Sequence, residues 1–244
     1  MVTGAAQRIG RAIVVHFVKL GWDAVVHYHT SSQEAQTLKE EIESYGRKCW
    51  LMQADLAQES QVADLMEAVQ GMAGRINLLV NNASTFKYDN SKTATRDSWD
   101  YHMEPNLRAP LVLSQEFQRL MKKGMIVNLL DQRVWNLTPH YLSYSISKYG
   151  LWGLTQALAL AMAPAIRVNG IGPGPTLKNA SQSKEQFVKQ YTSTPLGMGG
   201  GTDEIAKAIE FLWNAPSVTG QMIAIDGGQH LGWMVPDNLD QRDD

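Results

Sequence analysis

The chain of 244 residues carries 22 basic and 24 acidic side chains, for a net charge of -2, and 44% of its residues are hydrophobic. That length and apolar content suit a single large α/β domain over 1–244, and balanced charge without a basic run speaks against nucleic acid or an anionic membrane as partner. The lone Cys49 excludes a disulfide framework or a thiolate metal cluster, so no metal and a reducing, cytoplasmic setting are expected.

Met1-Val2-Thr3-Gly4 reads as the end of a first strand, expected as an unusually short stub or as one with a start codon placed late. The glycine loop begins so near Met1 that no signal peptide is expected, and no apolar run reaches the roughly 18 residues of a membrane span. Gly4 to Gly10, with Arg8 and Ile9 between, leads into an amphipathic helix ending near residue 20. Glycines before a helix let the backbone approach a pyrophosphate at the positive helix N-terminus.

A strand over 23–27 ends in His27-Tyr28-His29-Thr30-Ser31, ahead of a helix over 33–45. An acidic residue at this strand end would bind a ribose 2'-hydroxyl and repel a 2'-phosphate; none stands there. The hydroxyls and imidazoles of Tyr28, His29, Thr30 and Ser31 suit a phosphate instead, which favours NADPH over NADH. A third strand, 48–53, runs to Asp55-Leu56, a carboxylate and a backbone amide suited to adenine or simply the start of a turn.

A helix over 59–72 and a strand over 76–80 lead to Asn81-Asn82-Ala83-Ser84-Thr85-Phe86. Paired amides there either fix neighbouring loops or line a cofactor cleft, and Phe86 either packs in a core or interface or offers a ring to a flat ligand. The pattern over 97–122 is helical, with bends expected at Pro105 and Pro110, and a buried Asn106 needs a water or a backbone carbonyl as partner. Beyond the strand over 125–130 and Asp131, a long helix runs through residue 162, its apolar half from 151 suited to burial against the sheet or another subunit. A strand over 167–171 ends at Pro173-Gly174, and the polar stretch 176–201 reads as a substrate-covering loop. A helix over 203–213 and a strand over 221–225 precede Asp226-Gly227-Gly228; the tail with Trp233 gives no chemical signal. Strands alternating with helices predict a doubly wound parallel sheet.

Within this frame, Tyr144 and Lys148 lie four apart and share a helix face. A fixed cation beside a tyrosine favours the phenolate, which makes the phenol a usable acid or base near neutrality. Of Tyr141, Tyr144 and Tyr149, only Tyr144 has a lysine at i+4. The spacing therefore selects Tyr144, although a bare Tyr-x-x-x-Lys is more often a solvated helix face.

Together these marks resemble the short-chain dehydrogenase/reductase family over residues 2–231: the Thr3-Gly4 to Gly10 loop, Asp55, Asn81-Asn82-Ala83, Asn106, Tyr144 with Lys148, Pro173-Gly174 and Asp226-Gly227-Gly228 occur in family order. The resemblance implies a seven-stranded Rossmann sheet, a nicotinamide cofactor bound also by Asn82, Ala83, Pro173 and Gly174, and a homotetramer packed through two long helices. Arg8 stands where most relatives have a glycine and Asp131 where they have a serine; both, with Ser84-Thr85-Phe86 and His27-Tyr28-His29, are similar to pteridine reductases. Thr30 departs from that subgroup, which often has an arginine there.

On that resemblance Phe86 stacks a pterin against the nicotinamide, and Ser84 and Arg8 bind its edge. Asp131 and Tyr144 deliver the proton, Lys148 holds the nicotinamide ribose, and Asn106 supports a water relay. The expected function is NADPH-dependent reduction of dihydropterins, with dihydrofolate a possible substrate. A carbonyl reductase, as of 3-oxoacyl thioesters, is the rival; an ionised Asp131 would repel its developing oxyanion. A non-catalytic NADP(H) sensor is a third reading, opposed by the presence of both tyrosine and lysine.

Overall fold

The computed structural model describes residues 1–179 and 182–232, and the tail from Trp233 lies outside them. Helices and strands alternate: α1 Arg8–Lys19, β1 Ala24–Tyr28, α2 Ser32–Ser44, β2 Cys49–Gln53, α3 Glu59–Ala73, β3 Leu78–Asn81, α4 Arg96–Met103, α5 Ala109–Met121, β4 Gly124–Leu129, α6 Leu142–Met162, β5 Ile166–Pro173, α7 Lys184–Thr192, α8 Thr202–Asn214 and β6 Met222–Ile225. Among the described residues no helix is long and apolar enough to cross a membrane.

Every pairing is parallel: β1 with β2, and β3-β4-β5-β6 in that order. Among the described residues six strands form where seven were expected, because the first is reduced to one residue: Val2 bridges Val26 on one side and Val80 on the other. Its amide donates to the Val25 carbonyl and its carbonyl accepts from His27, while Thr3 donates to Val80. The pairing stops at this one residue because the chain turns away at Gly4, whose φ is +58°.

Alternating side chains sort to opposite faces, as the twofold period of a strand requires. Val26, Val80 and Val127 meet α1, α2 and α8 through Ile13, Phe17, Leu38 and Ile209. Their neighbours Val25, Leu79 and Ile126 meet α3, α5 and α6 through Met66, Phe117 and Leu158. Covered on both faces, the strands read as near-continuous apolar runs, and the polar residues collect at their C-terminal ends.

Two expected elements differ. The single helix over 97–122 is split by a π-helical turn, Glu104–Arg108, because Pro105 has no N–H for the Tyr101 carbonyl four residues back. That carbonyl instead accepts from the Thr85 hydroxyl. The 176–201 stretch is not wholly a loop: it contains α7, started by a capping box between Ser183 and Gln186.

Candidate active site

At the front of the sheet, the turn from Val2 into α1 is held by Asn82, just past β3, and by His27 of β1. Asn82 Nδ2 donates to the carbonyls of Thr3 (2.8 Å) and Gly4 (3.1 Å), and the Thr3 hydroxyl accepts from the amides of Asn82 and Ala83. A Cβ on Gly10 would lie 2.5 Å from the Gly4 carbonyl oxygen and 2.6 Å from Asn82 Nδ2, so only glycine fits. Gln7 gives α1 no side-chain cap, leaving its first amides for an external acceptor. Arg8 takes a left-handed φ of 54°, the conformation a glycine would supply, and its guanidinium donates to the carbonyls of Leu177 and Lys178. Ile9 packs against the core rather than facing outward. The cradle fits the pyrophosphate of a dinucleotide.

The end of β1 is more divided than the sequence suggests. His27 is buried, accepts from the Gly4 amide at Nδ1 (3.1 Å) and bonds the Ala54 carbonyl through Nε2 (3.1 Å). Burial pushes its pKa down to about 4, against the pull of the Ala54 bond, so this imidazole braces the loop and is no phosphate ligand. Tyr28 is half-buried, His29 and Thr30 are exposed, and Ser31 starts α2 without capping it. Glu34, in the first turn of α2, is an acidic neighbour the strand-end argument overlooked; Gln7 donates to it at 2.7 Å. Asp55 accepts from the Ala57 amide and so starts a turn, and Leu56 is buried in the core.

Behind the cradle, β4 ends at Leu129, placing Asp131 just past the strand rather than in it. Asp131 accepts three hydrogen bonds: from the Tyr144 hydroxyl at 2.9 Å, and from the Arg133 amide and guanidinium at 2.9 and 2.8 Å. Tyr144 and Lys148 share the buried face of α6, as their spacing requires. The expected effect of the lysine on the phenol is absent. Lys148 Nζ donates to the Leu129 carbonyl at 2.7 Å and sits 5.9 Å from the centre of the Tyr144 ring. Burial first, then Asp131, push the Tyr144 pKa well above its ordinary value, and only Arg133 pulls the other way. The resting phenol is therefore protonated. Burial also lowers the Lys148 pKa to about 8, partly offset by Asp131.

Asn106, in the π-helical turn, is fully buried with both ends of its amide engaged. It accepts from the Thr85 amide (2.8 Å) and donates to the Thr85 carbonyl and to Ser147, both at 3.1 Å. Its partners are thus a backbone segment and a hydroxyl on α6. Phe86 is 37% exposed; Tyr141 stacks on it at 4.4 Å, and Tyr144 meets it at right angles at 4.6 Å. Arg133 lies 5.9 Å over Phe86 and 5.6 Å over Tyr141. Ser84 is exposed beside them. Pro173 ends β5, and Gly174 is pressed so close to Asp226 that a Cβ would lie 2.6 Å from the aspartate Cβ.

A family model described as enoyl-(acyl carrier protein) reductase matches residues 4–230. The chain belongs to the short-chain dehydrogenase/reductase family. Its similarity to FolM alternative dihydrofolate reductase 1 from Brucella suis, a crystal structure in complex with NADP, is 40% identity with a TM-score of 0.92, over 97% of each chain. The Brucella canis protein, complexed with NADP, is 39% identical with a TM-score of 0.90, over 97% of this chain and 95% of that one. A 3-oxoacyl-[acyl-carrier-protein] reductase, FabG of Staphylococcus epidermidis, is 29% identical over 95% of this chain and 98% of its own.

As a short-chain dehydrogenase/reductase the protein is an oxidoreductase of a nicotinamide dinucleotide. Two residues of the site escaped the sequence reading. Arg133 is only two residues from Asp131, a spacing that signals nothing without knowledge of the helical turn Gln132–Val134, which holds Arg133 and is capped by Asp131. Tyr141, set aside for lacking a lysine, packs on Phe86 because a φ of 56° turns it back over the ring.

Proposed function

We propose that the protein is an NADPH-dependent reductase of dihydropterins, dihydrofolate included, yielding the tetrahydro forms. The observation that carries this reading is the Tyr144–Asp131 bond with Arg133 behind it. Reduction of a ring C=N bond adds hydride at carbon and a proton at nitrogen. NADPH supplies the hydride when bound. The proton rests on Tyr144, since burial and Asp131 hold the phenol in its neutral form. Asp131 accepts every hydrogen bond it makes, so it orients the phenol and returns a proton to it from solvent after turnover. A weakly basic ring nitrogen becomes strongly basic as hydride arrives at its carbon, which draws the proton from even a weak acid.

Gly4, Arg8, Ile9, Gly10, Asn82, Ala83, Pro173 and Gly174 bind the cofactor through backbone and loop shape, and Lys148 holds the nicotinamide ribose. Tyr28, His29, Thr30 and Ser31, at the uncapped start of α2, receive the 2'-phosphate; Asp55 and Leu56 flank the adenine. Phe86, Ser84 and Arg8 receive the pterin, Arg8 leaving the Leu177 and Lys178 carbonyls to do so. Asn106 supports the water that resupplies the proton, and the segment 176–201 covers the substrate. The FolM relatives, named as dihydrofolate reductases, support the substrate class. A homotetramer would use the apolar groove of about 450 Å³ between the π-helical turn, α5 and α6, lined by Met103, Leu107, Leu111 and Leu154.

The carbonyl-reductase reading has the FabG relatives in its favour, and Arg133 offsets some of the repulsion Asp131 would exert on an oxyanion. Against it, the Asp131 carboxylate bonded to the phenol stands beside the place where an oxyanion would develop, whereas a ring nitrogen taking the proton develops no negative charge. NADPH oxidation measured with 7,8-dihydrobiopterin, dihydrofolate and acetoacetyl thioester separates the two. Turnover of a dihydropterin or dihydrofolate is expected; turnover of the thioester alone would overturn the proposal.

A further inference from the structure

Beneath the Phe86, Tyr141 and Tyr144 rings lies a buried polar network that the proposed reaction leaves unused. Asp89, His102 and Ser143 are each no more than 2% exposed. They come from three elements: the segment carrying Phe86, the last turn of α4 and the first turn of α6. The amide of Ser143 donates to Asp89 Oδ1 at 3.1 Å, and that of Leu142 to the Asp89 carbonyl at 3.3 Å. Asp89 thereby supplies the N-terminal cap of α6 that Tyr141 lacks. Its other carboxylate oxygen accepts from the hydroxyls of Ser98 and Ser143.

With its single proton directed to Asp89, the Ser143 oxygen accepts at 2.7 Å from His102 Nδ1. This assigns the imidazole tautomer. Nδ1 carries the hydrogen, and Nε2 is left to accept, which it does from the Lys87 amide at 3.0 Å. Burial lowers the His102 pKa against the opposing pull of Asp89, which preserves the neutral ring that both bonds need. The order Asp–Ser–His differs from a hydrolytic triad, in which the histidine lies between the other two, and buried as it is the cluster meets no substrate. What it does join is specific: Lys87 directly follows Phe86, and Ser143 directly precedes Tyr144.

We propose that His102 is a positioning residue: its two ring nitrogens, one donating and one accepting, tie the backbone beside the Phe86 ring to the helix start beside the Tyr144 phenol. It thereby fixes the spacing between the stacking ring and the proton donor. This inference rests on the proposed dihydropterin reduction.

The two bonds can be removed separately. His102→Asn places an amide N–H near the Nδ1 position and keeps Ser143 while releasing Lys87; His102→Gln reaches the Nε2 position and keeps Lys87. In His102→Asn the KM for 7,8-dihydrobiopterin should rise about tenfold, the effect of one lost buried hydrogen bond, with NADPH affinity unchanged. His102→Gln gives up the Ser143 bond instead and breaks the same tie at its other end, so the same KM should rise by a similar factor, again with NADPH affinity unchanged. Hydrogen exchange at the Lys87 amide should quicken in His102→Asn and remain slow in His102→Gln. A dihydropterin KM within about twofold of the parent in either variant, or Lys87 exchange that is alike in the two, would overturn the proposal. Absence of dihydropterin turnover in the unaltered protein would instead defeat the functional reading, while the Lys87 exchange comparison still decides the role of His102.

Discussion

A tyrosine held neutral by burial and by a carboxylate is an acid waiting for a base, and this sets what each neighbouring side chain does. Tyr144→Phe removes the proton but no cofactor contact, so kcat should fall by about 10²- to 10⁴-fold with the dissociation constant for NADPH nearly unchanged. Surviving turnover would mean another group gives the proton. Phe86→Ala removes stacking area, so the dihydropterin KM should rise while NADPH binding holds, both readable from initial rates and fluorescence titration. An unchanged KM would place the ring outside the substrate site. At this scale the pairing of Tyr144 with Lys148 was legible because helical geometry maps spacing four onto one face. What the lysine does to the phenol was not legible. That depends on where Nζ finds its acceptor, here the Leu129 carbonyl, a contact set by the end of β4.

Among elements, the interruption at Glu104–Arg108 shows how a local rule shapes a site. Pro105 frees one carbonyl, Thr85 takes it, and Asn106 then pairs with both backbone groups of Thr85. Asn106→Ala would leave the half-buried Thr85 amide unpaired and take one partner from its carbonyl, so unfolding in urea should show a loss of on the order of 1–3 kcal/mol; a loss below about 0.5 kcal/mol, the scale of an ordinary surface change, would show that water replaces the amide. The prolines announced a bend, but the pairing with Thr85 needed the third dimension. His27 makes a second element-scale prediction, since it joins β1 to the glycine turn. Its pKa is near 4 when folded and 6.5 when unfolded. Between those values the unfolded chain binds a proton that the folded chain does not. Its contribution is therefore whole above pH 6.5 and falls away toward pH 4, by on the order of 3 kcal/mol. Urea melts at pH 7 and pH 5 should show about 2 kcal/mol of this loss in the parent and less of it in His27→Asn; equal losses would contradict the assignment.

Across the whole molecule, alternating apolar runs were enough to give the order of helices and strands, because a strand covered on both faces must be apolar throughout. They were not enough to fix strand number, because a one-residue bridge leaves no periodicity to read. Val2, with backbone bonds from its neighbours Met1 and Thr3, joins the two groups of strands. Neither could patterning show α7 within 176–201, whose helix has no buried residue to make its pattern amphipathic. If α5 and α6 bury their groove against other copies, sedimentation should give a tetramer of 27.1 kDa chains, and a Leu107→Glu variant should dissociate it. A monomer at all concentrations would remove the tetramer from the account. The central claim, that the Asp131–Tyr144 pair protonates a ring nitrogen of a bicyclic substrate lying on Phe86, is tested most directly by a crystal grown with NADP and a dihydropterin. The prediction is a bicyclic ring stacked on Phe86 with a ring nitrogen within about 3 Å of the Tyr144 oxygen. A pterin found elsewhere, with the phenol still bonded to Asp131 alone and Tyr141 still covering Phe86, would contradict it.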